Sequence, residues 1–253
     1  MVLVQIFLTI VPTIIITIFL GKKTSIKTIT KIFMLMGFYM TFEMIYVAIL
    51  QEGVSMISKT AVDINSITFI SILLKQLLGN AIPEEVVKYL VIKHTGLNSK
   101  EGIAKSAIIT AVAFMAIENY SYSKQTLFIG IYRIFIPIHL ISQLIMAYFL
   151  IKVQDMEKNY AKKYNIMAVI IPIIIHAIYN VSTHFIENSG VIPIYVYVMI
   201  LGIIAYFITF KFIKSNVTKE CNEEYVENIE IPKYKVIIGL LCILYWGYIF
   251  KIC

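Results

Sequence analysis

Four short groups of polar residues interrupt a chain that is otherwise strongly apolar. In chain order they are Glu84, Glu85 and Lys88; Glu118 and Asn119; His139; and His176 and Asn180. Carboxylates and imidazoles are the side chains that most often transfer protons in hydrolytic reactions, and the same groups bind divalent metals. The residue types therefore permit acid–base or metal chemistry, provided that the fold brings the four groups together.

The spacing within these groups fits presentation on helices. Glu84 and Glu85 precede Lys88 by four and three residues, so on a helix the lysine can pair with one carboxylate and leave the other available. His176 and Asn180 are one turn apart and share a helix face. Phe114 lies one turn before Glu118 and is expected to form an aromatic floor beside that carboxylate.

The composition predicts that these helices lie in a membrane. Of the 253 residues, 59% are hydrophobic and 15% are charged, and the mean hydropathy is +0.83. A soluble domain has about 25% charged residues. Long apolar runs without barrel-type alternation predict an all-α, polytopic membrane helix bundle. An ionisable residue inside such a span costs on the order of 2.5–3.5 kcal/mol, so each one is a functional candidate.

Apolar stretches long enough to cross the bilayer predict about eight transmembrane helices. They cover residues 2–20, 32–50, 64–95, 103–120, 127–151, 166–185, 191–213 and 235–251. The third stretch is too long for one helix, and Gly79, Asn80 and Pro83 predict that it is broken near its middle. The first is expected to be a retained anchor because basic residues follow it.

The distribution of lysines predicts the orientation. Clusters at residues 22–31, 100–105, 158–163 and 211–219 indicate cytoplasmic loops, which places both termini outside the cell membrane. We interpret residues 1–253 as one integral membrane domain with a motif-bearing core at 80–185. The polar stretch at 215–233 is interpreted as a cytoplasmic linker.

Charge and cysteine content narrow the possible partners. The net charge of +7 comes from lysines scattered beside the spans, so the lipid bilayer, with its anionic headgroups, is a better partner than nucleic acid. Cys221, Cys242 and Cys253 form no CxxC pair. A disulfide framework and a cysteine-ligated metal site are therefore not expected.

Taken in order across successive spans, the polar groups resemble a known family. The sequences "EEVVK" (84–88) and "FMAIEN" (114–119), the isolated His139 and "HAIYN" (176–180) are similar to the four motifs of PrsW-type intramembrane proteases. These proteases belong to a wider group with the CAAX prenyl proteases and the bacteriocin-processing or self-immunity proteins. The resemblance covers residues 80–185. Because each motif is short, the resemblance depends on the occurrence of all four motifs in this order.

The resemblance implies roles for individual residues. Glu84 would activate the water that attacks a peptide carbonyl, with Glu85 in support. His176 and Asn180 would hold the oxyanion, and His139 would complete the polar cavity. The implied substrate is a membrane-anchored protein with a single span, in the PrsW case an anti-sigma factor.

One departure separates this chain from the prenyl proteases, and the question of a metal stays open. Those relatives have a histidine where this sequence has Glu118, which favours the PrsW branch. Glu118, His139 and His176 are a chemically sensible ligand set for zinc, yet the chain has no HExxH motif. Lys88, Asn119 and Phe114 are expected to support the site.

A second class of function fits the same residues. Each polar group alone is compatible with a charged interface or with hydrogen bonding between packed helices. The alternative is therefore a non-enzymatic membrane protein, either a transporter or an immunity-type binding protein. Transporters commonly carry matching broken helices in two halves, whereas this sequence shows one broken segment.

Overall fold

The computed structural model of the chain describes residues 25–60, 68–122 and 138–189, together with positions 204 and 211. Six α-helices account for almost all of these residues, and no strand occurs among them. The helices are α1 (Ile26–Thr60), α2 (Thr68–Gln76), α3 (Ile82–Thr95), α4 (Lys100–Tyr122), α5 (Ile138–Gln154) and α6 (Lys158–Ser189). A π-helical turn, Leu77–Ala81, joins α2 to α3.

The all-helical prediction is confirmed for this part of the chain. The expected spans at 2–20 and 235–251 and the linker at 215–233 lie outside the described residues, as does most of the span at 191–213.

Two of the helices are long and apolar enough to cross a membrane. The qualifying segments are Lys27–Glu52 in α1, with 26 residues, and Tyr160–His184 in α6, with 25 residues. Helix α5 is apolar but shorter. Along α6 every fourth residue from Ile166 to Ile178 is an exposed isoleucine, which forms a continuous apolar stripe. A stripe of this length on the outside of a bundle is what contact with lipid requires.

The lysine cluster at 158–163 lies in the first two turns of α6 and not in a loop. Only residues 155–157 separate α5 from α6. With 32 residues, α6 is longer than the roughly 20 residues needed to cross the hydrocarbon core. Its lysine-bearing start can therefore extend past the apolar layer without a change of structure.

The predicted break in the third apolar stretch takes the form of a change in helix type. Residues Leu77–Ala81 form a π-helical turn, and the backbone stays helical through Ile82. Pro83 lies in the first turn of α3, and its missing N–H group leaves one carbonyl of the preceding turn without a backbone partner. As a result, Glu84 and Glu85 lie in the first turn of α3, directly after the π-helical turn.

Small residues allow the site-bearing helices to pack closely. On α4, the buried residues Ser106, Ala107, Thr110 and Ala111 form one narrow face. Helix α5 packs on α4 and on α6, while α1 packs on α3. Small side chains let helix backbones approach one another, which gains van der Waals contact where lipid offers no hydrophobic driving force.

The connection from α3 to α4 is a tight one with a specific role for glycine. Gly96 has a φ of 74°, the left-handed conformation in which glycine commonly ends a helix. The Ser99 hydroxyl then accepts a hydrogen bond from the backbone N–H of Gly102 at 3.0 Å and so caps the start of α4.

Candidate active site

Three helices bring the predicted carboxylates and histidines to one level in the bundle. Helix α3 carries Glu84, Glu85 and Lys88, whereas α5 carries His139 and α6 carries His176. The two imidazole rings meet edge to face, with their centroids 5.1 Å apart. Residues separated by up to 91 positions in the sequence are thus in direct contact.

Glu85 is fully buried and accepts hydrogen bonds at both carboxylate oxygens. Its Oε1 accepts from Lys88 Nζ at 2.7 Å, from His176 Nδ1 at 2.8 Å and from Ser142 Oγ at 3.1 Å. Its Oε2 accepts from Gln143 Nε2 at 3.1 Å. A carboxylate with four donors is held in its ionised form and in one position, so Glu85 acts as a fixed anion inside the bundle.

Glu84 has a very different environment one residue earlier. Its Oε2 is buried but accepts no hydrogen bond within the described part of the chain. Three nitrogens surround this oxygen at a longer range: Lys88 Nζ at 3.7 Å, His139 Nδ1 at 3.8 Å and His176 Nε2 at 3.8 Å. A buried carboxylate oxygen without a donor is costly, so Glu84 Oε2 is suited to a partner other than the residues described here.

Carboxylates fix the tautomers of both histidines. An ionised carboxylate can only accept hydrogen bonds, so Nδ1 of His176 carries the proton that it donates to Glu85. By the same argument, Nε2 of His139 carries the proton that it donates to Glu118 Oε2. The other ring nitrogens, Nε2 of His176 and Nδ1 of His139, are the ones that face Glu84.

Lys88 supplies the positive charge of the site. Its ammonium is fully buried and donates to Glu85 Oε1 and to His139 Nδ1, in each case at 2.7 Å. It also lies 4.3 Å from the centroid of the Phe114 ring, and that ring is 5.0 Å from the His139 ring. The Phe114 ring, which was expected to lie beside the Glu118 carboxylate, thus contacts Lys88 and His139.

The donor atoms around Glu84 fit a divalent metal. Glu84, His139 and His176 each offer one ligand atom, and these atoms lie within 4.8 Å of one another. The two separations of 3.8 Å from Glu84 Oε2 are somewhat longer than the about 3.4 Å expected between ligands of a tetrahedral zinc ion. A carboxylate orients each imidazole from its far side, which is the usual outer-shell arrangement of metal-binding histidines.

Two points refine the ligand set expected from the sequence. The structure groups Glu84 with the two histidines, whereas Glu118 lies on the far side of the His139 ring. In addition, Nδ1 of His139 cannot accept from Lys88 and bind a metal at the same time. Metal binding thus requires the ammonium to leave His139, while its contact with Glu85 can persist.

Two residues of this group were not singled out from the sequence, and a third, Glu43, was given no role in it. Ser142 and Gln143 follow His139 by three and four residues, so helical spacing alone could have placed them on its face. Glu43 of α1 has a buried carboxylate oxygen without a hydrogen-bond partner in the described ranges and interacts electrostatically with Lys88 and Glu118. No motif in the sequence marks Glu43, because its approach depends on how α1 packs against α3.

Two predicted residues are not part of this contact group as far as it is described. Asn180 is partly buried one turn beyond His176, and its backbone carbonyl accepts a hydrogen bond from Thr183. Within the described ranges, no hydrogen bond joins the Asn180 side chain to the carboxylates or histidines. The side chain of Asn119 lies outside the described residues.

Comparison with known proteins identifies the family. Residues 26–208 match the family described as PrsW family intramembrane metalloprotease. Because this match covers more than half of the 253 residues, the chain belongs to that family. All four polar groups lie inside the matched range.

A curated relative supports the same grouping over a shorter range. The chain is 34% identical over 132 residues to a protein named Protease PrsW from Clostridioides difficile (strain 630). The alignment covers 47% of this chain and 55% of that relative, so the chain spans about half of the relative's length. No solved structure matches the chain.

Proposed function

We propose that this protein is an intramembrane endopeptidase that hydrolyses a peptide bond of a membrane-anchored substrate. The observation that carries the proposal is the buried Glu84 Oε2, which has no hydrogen-bond donor among the described residues and faces one ring nitrogen of each of two histidines. Such a group has the chemistry to activate a water molecule for attack on a scissile carbonyl. Membership in a metalloprotease family supports this reading.

His139 and His176 would hold a divalent metal such as zinc, and Glu84 would serve either as its third ligand or as the general base. When bound, such an ion supplies Lewis-acid activation of water and of the carbonyl oxygen. Glu85 and Glu118 keep the two imidazoles in the tautomers that present their lone pairs to this point.

The proton transfers are assigned to residues of the chain. Glu84 takes a proton from the attacking water as the water oxygen bonds to the peptide carbon. Asn180, one turn beyond His176, donates to the oxyanion that develops on the carbonyl oxygen. Glu84 then returns the proton to the leaving nitrogen as the C–N bond breaks, which yields a carboxylic acid and an amine.

The substrate and the topology are parts of the same proposal. Catalytic groups within a helix bundle favour a substrate that enters from the bilayer, so we propose a protein with a single span, such as an anti-sigma factor cleaved in regulated proteolysis. The chain itself is proposed to cross the membrane about eight times, with both termini outside and the lysine-rich end in the cytoplasm.

The proposal is tested by substitutions that keep the fold. Glu84→Gln and His176→Ala should each lower cleavage of a co-expressed single-span substrate by at least about 100-fold, because a general base and its partners contribute that much. Glu101→Gln is a matched control, since Glu101 forms a surface pair with Lys105 at 2.7 Å on α4. Protein abundance in the membrane should be equal in all variants. Cleavage that persists in both site variants would rule out the protease assignment.

The metal content of the same purified variants distinguishes two possible roles of Glu84, as a general base and as a metal ligand. If Glu84→Gln retains the metal of the wild type and loses cleavage, Glu84 serves in proton transfer. If it loses the metal as His176→Ala does, Glu84 serves as a ligand. Elemental analysis after dialysis reads this out without any substrate.

A further inference from the structure

A cavity lies away from the carboxylates and histidines, at the lysine-rich end of the bundle. It has a volume of about 690 Å³ and runs between the last turns of α3 and the first turns of α6. Its polar end is lined by Lys93, Lys158 and Lys162. Pockets of about 300–1,000 Å³ are of the size that holds a small ligand, so the cavity can hold a headgroup and the first part of a chain.

The three lysines of this cavity have no carboxylate partner within the described part of the chain. Other lysines at the same end are paired: Lys100 contacts Asp155 at 2.9 Å and Lys105 contacts Glu101 at 2.7 Å. The cavity therefore concentrates uncompensated positive charge in one place. An anionic ligand is what such a concentration attracts.

The rest of the cavity wall is apolar and continues onto the lipid-facing side of α6. Ile166, Val169 and Ile170 line it, and Ile166 and Ile170 belong to the exposed isoleucine stripe. A ligand that fills this cavity thus needs an anionic end and an apolar end that leaves along α6. Inorganic phosphate and an acidic peptide lack the second feature.

One polar atom in the cavity wall accepts no hydrogen bond from the described residues. Asn165 donates from Nδ2 to the Ala161 carbonyl at 3.0 Å, while its Oδ1 is buried without a partner in the described ranges. The phosphodiester of a lipid with an esterified headgroup has no proton to offer at neutral pH, whereas a headgroup hydroxyl does. The unpaired amide oxygen therefore favours a headgroup that carries hydroxyl groups.

We propose that this cavity binds an anionic glycerophospholipid with a hydroxyl-bearing headgroup, of the phosphatidylglycerol type. The phosphate lies among the three lysines, a headgroup hydroxyl donates to Asn165 Oδ1, and one acyl chain follows Ile166 and Ile170. Basic pockets between helices at a membrane surface are known to hold such headgroups. The lipid site is separate from the proposed catalytic group and does not depend on proteolysis.

The test is a lipid titration of the purified, delipidated full chain followed by native mass spectrometry. The wild type should bind phosphatidylglycerol about tenfold more tightly than phosphatidylcholine with the same acyl chains. The double variant K158Q/K162Q should bind both lipids about equally. Lys163→Gln is the matched control, because Lys163 is exposed on the same helix but does not line the cavity, and it should keep the wild-type preference.

The apolar wall and the amide provide charge-neutral tests. Val169→Trp should fill the cavity and lower phosphatidylglycerol binding, whereas Ile174→Trp, one turn beyond the cavity on the exposed stripe, should not. Asn165→Leu should lower the preference for phosphatidylglycerol over phosphatidic acid, which lacks the headgroup glycerol. Thermal unfolding of each variant verifies that the fold is retained.

Several results would overturn the lipid proposal. An equal loss in Lys163→Gln would show diffuse attraction to a basic surface. Displacement of the lipid by glycerol 3-phosphate at the same concentration would show a simple anion site. Tighter binding of an acidic peptide than of the lipid would assign the cavity to a protein partner.

Discussion

At the residue scale, two neighbouring glutamates have opposite surroundings. Glu85 accepts four hydrogen bonds, whereas Glu84 Oε2 accepts none from the described part of the chain. Successive residues on a helix point about 100° apart, so one carboxylate is enclosed by α5 and α6 while the other faces the histidines. The division into a reactive Glu84 and a supporting Glu85, which the family resemblance implied, thus has a physical basis, and their catalytic roles stay predictions.

The buried pair between Glu85 and Lys88 is expected to matter most for stability. Lys88→Met removes the counter-charge of a fully buried carboxylate and should destabilise the protein by about 3–5 kcal/mol. The double variant E85Q/K88M leaves no uncompensated charge from the pair and should recover most of that loss. Unfolding of the purified proteins in detergent measures both changes.

Lys93→Met is the control for this pair, because Lys93 is an exposed lysine on the same helix. This change should alter stability by less than about 0.5 kcal/mol. A double variant as unstable as Lys88→Met would mean that the two charges are not energetically coupled. Since the readout is unfolding, the result is independent of any proteolytic activity.

The candidate site could be predicted from the sequence only in part. Glu84, His139 and His176 were found because ionisable residues in apolar spans are conspicuous, and the structure brings them together. The sequence suggested Glu118 as the carboxylate ligand, whereas the structure groups Glu84 with the two histidines. This difference could not be foreseen. It depends on which side of the His139 ring each carboxylate reaches, and therefore on the packing of α4 and α3 against α5.

At the element scale, the sequence predicts where the third apolar stretch is interrupted, but it does not predict the form of the interruption. Gly79, Asn80 and Pro83 predict a weak point, and the π-helical turn Leu77–Ala81 lies there. Composition alone does not distinguish a loop from a π-helical turn, because both disturb the same backbone hydrogen bonds. The outcome depends on neighbouring helices, such as α6, that pack against this turn.

Two glycines in these helices should respond in opposite ways to the same substitution. A Cβ atom on Gly102 would lie 2.8 Å from Leu97 Cβ and 3.0 Å from Ser99 Oγ, so Gly102→Ala should destabilise the protein by about 1–3 kcal/mol. A Cβ on Gly79 meets no atom of the described residues within 4 Å. Gly79→Ala should therefore be neutral or stabilising by up to about 1 kcal/mol, through higher helix propensity.

Each glycine variant is the control for the other, and thermal unfolding of the purified proteins compares them. A destabilising Gly79→Ala would mean that the π-helical turn needs glycine for a backbone reason beyond the space around its Cβ. A neutral Gly102→Ala would mean that the α3–α4 connection can shift to admit a methyl group without cost.

At the scale of the whole molecule, the helical architecture follows from composition, but the number and direction of the crossings do not. The described ranges are helical, and α1 and α6 are each able to span a bilayer. Among the described residues, Lys100 and the lysines at 158–163 lie at helix starts, at the same end of the bundle as Lys93. Their common location supports the proposed topology, in which that end faces the cytoplasm.

The orientation can be measured at the short connection between α5 and α6. In a variant whose three cysteines are replaced by serine, Glu157→Cys adds a single exposed thiol at the lysine-rich end. If that end is cytoplasmic, a membrane-impermeant maleimide should leave the thiol unmodified in intact cells. The same reagent should modify it almost completely in inside-out vesicles and in detergent.

Asn98→Cys, in the α3–α4 connection at the same end, should behave identically, because the Asn98 carbonyl accepts a hydrogen bond from Gln154 at the end of α5. Labelling of both thiols in intact cells would reverse the orientation and place the lysine-lined cavity at the outer surface.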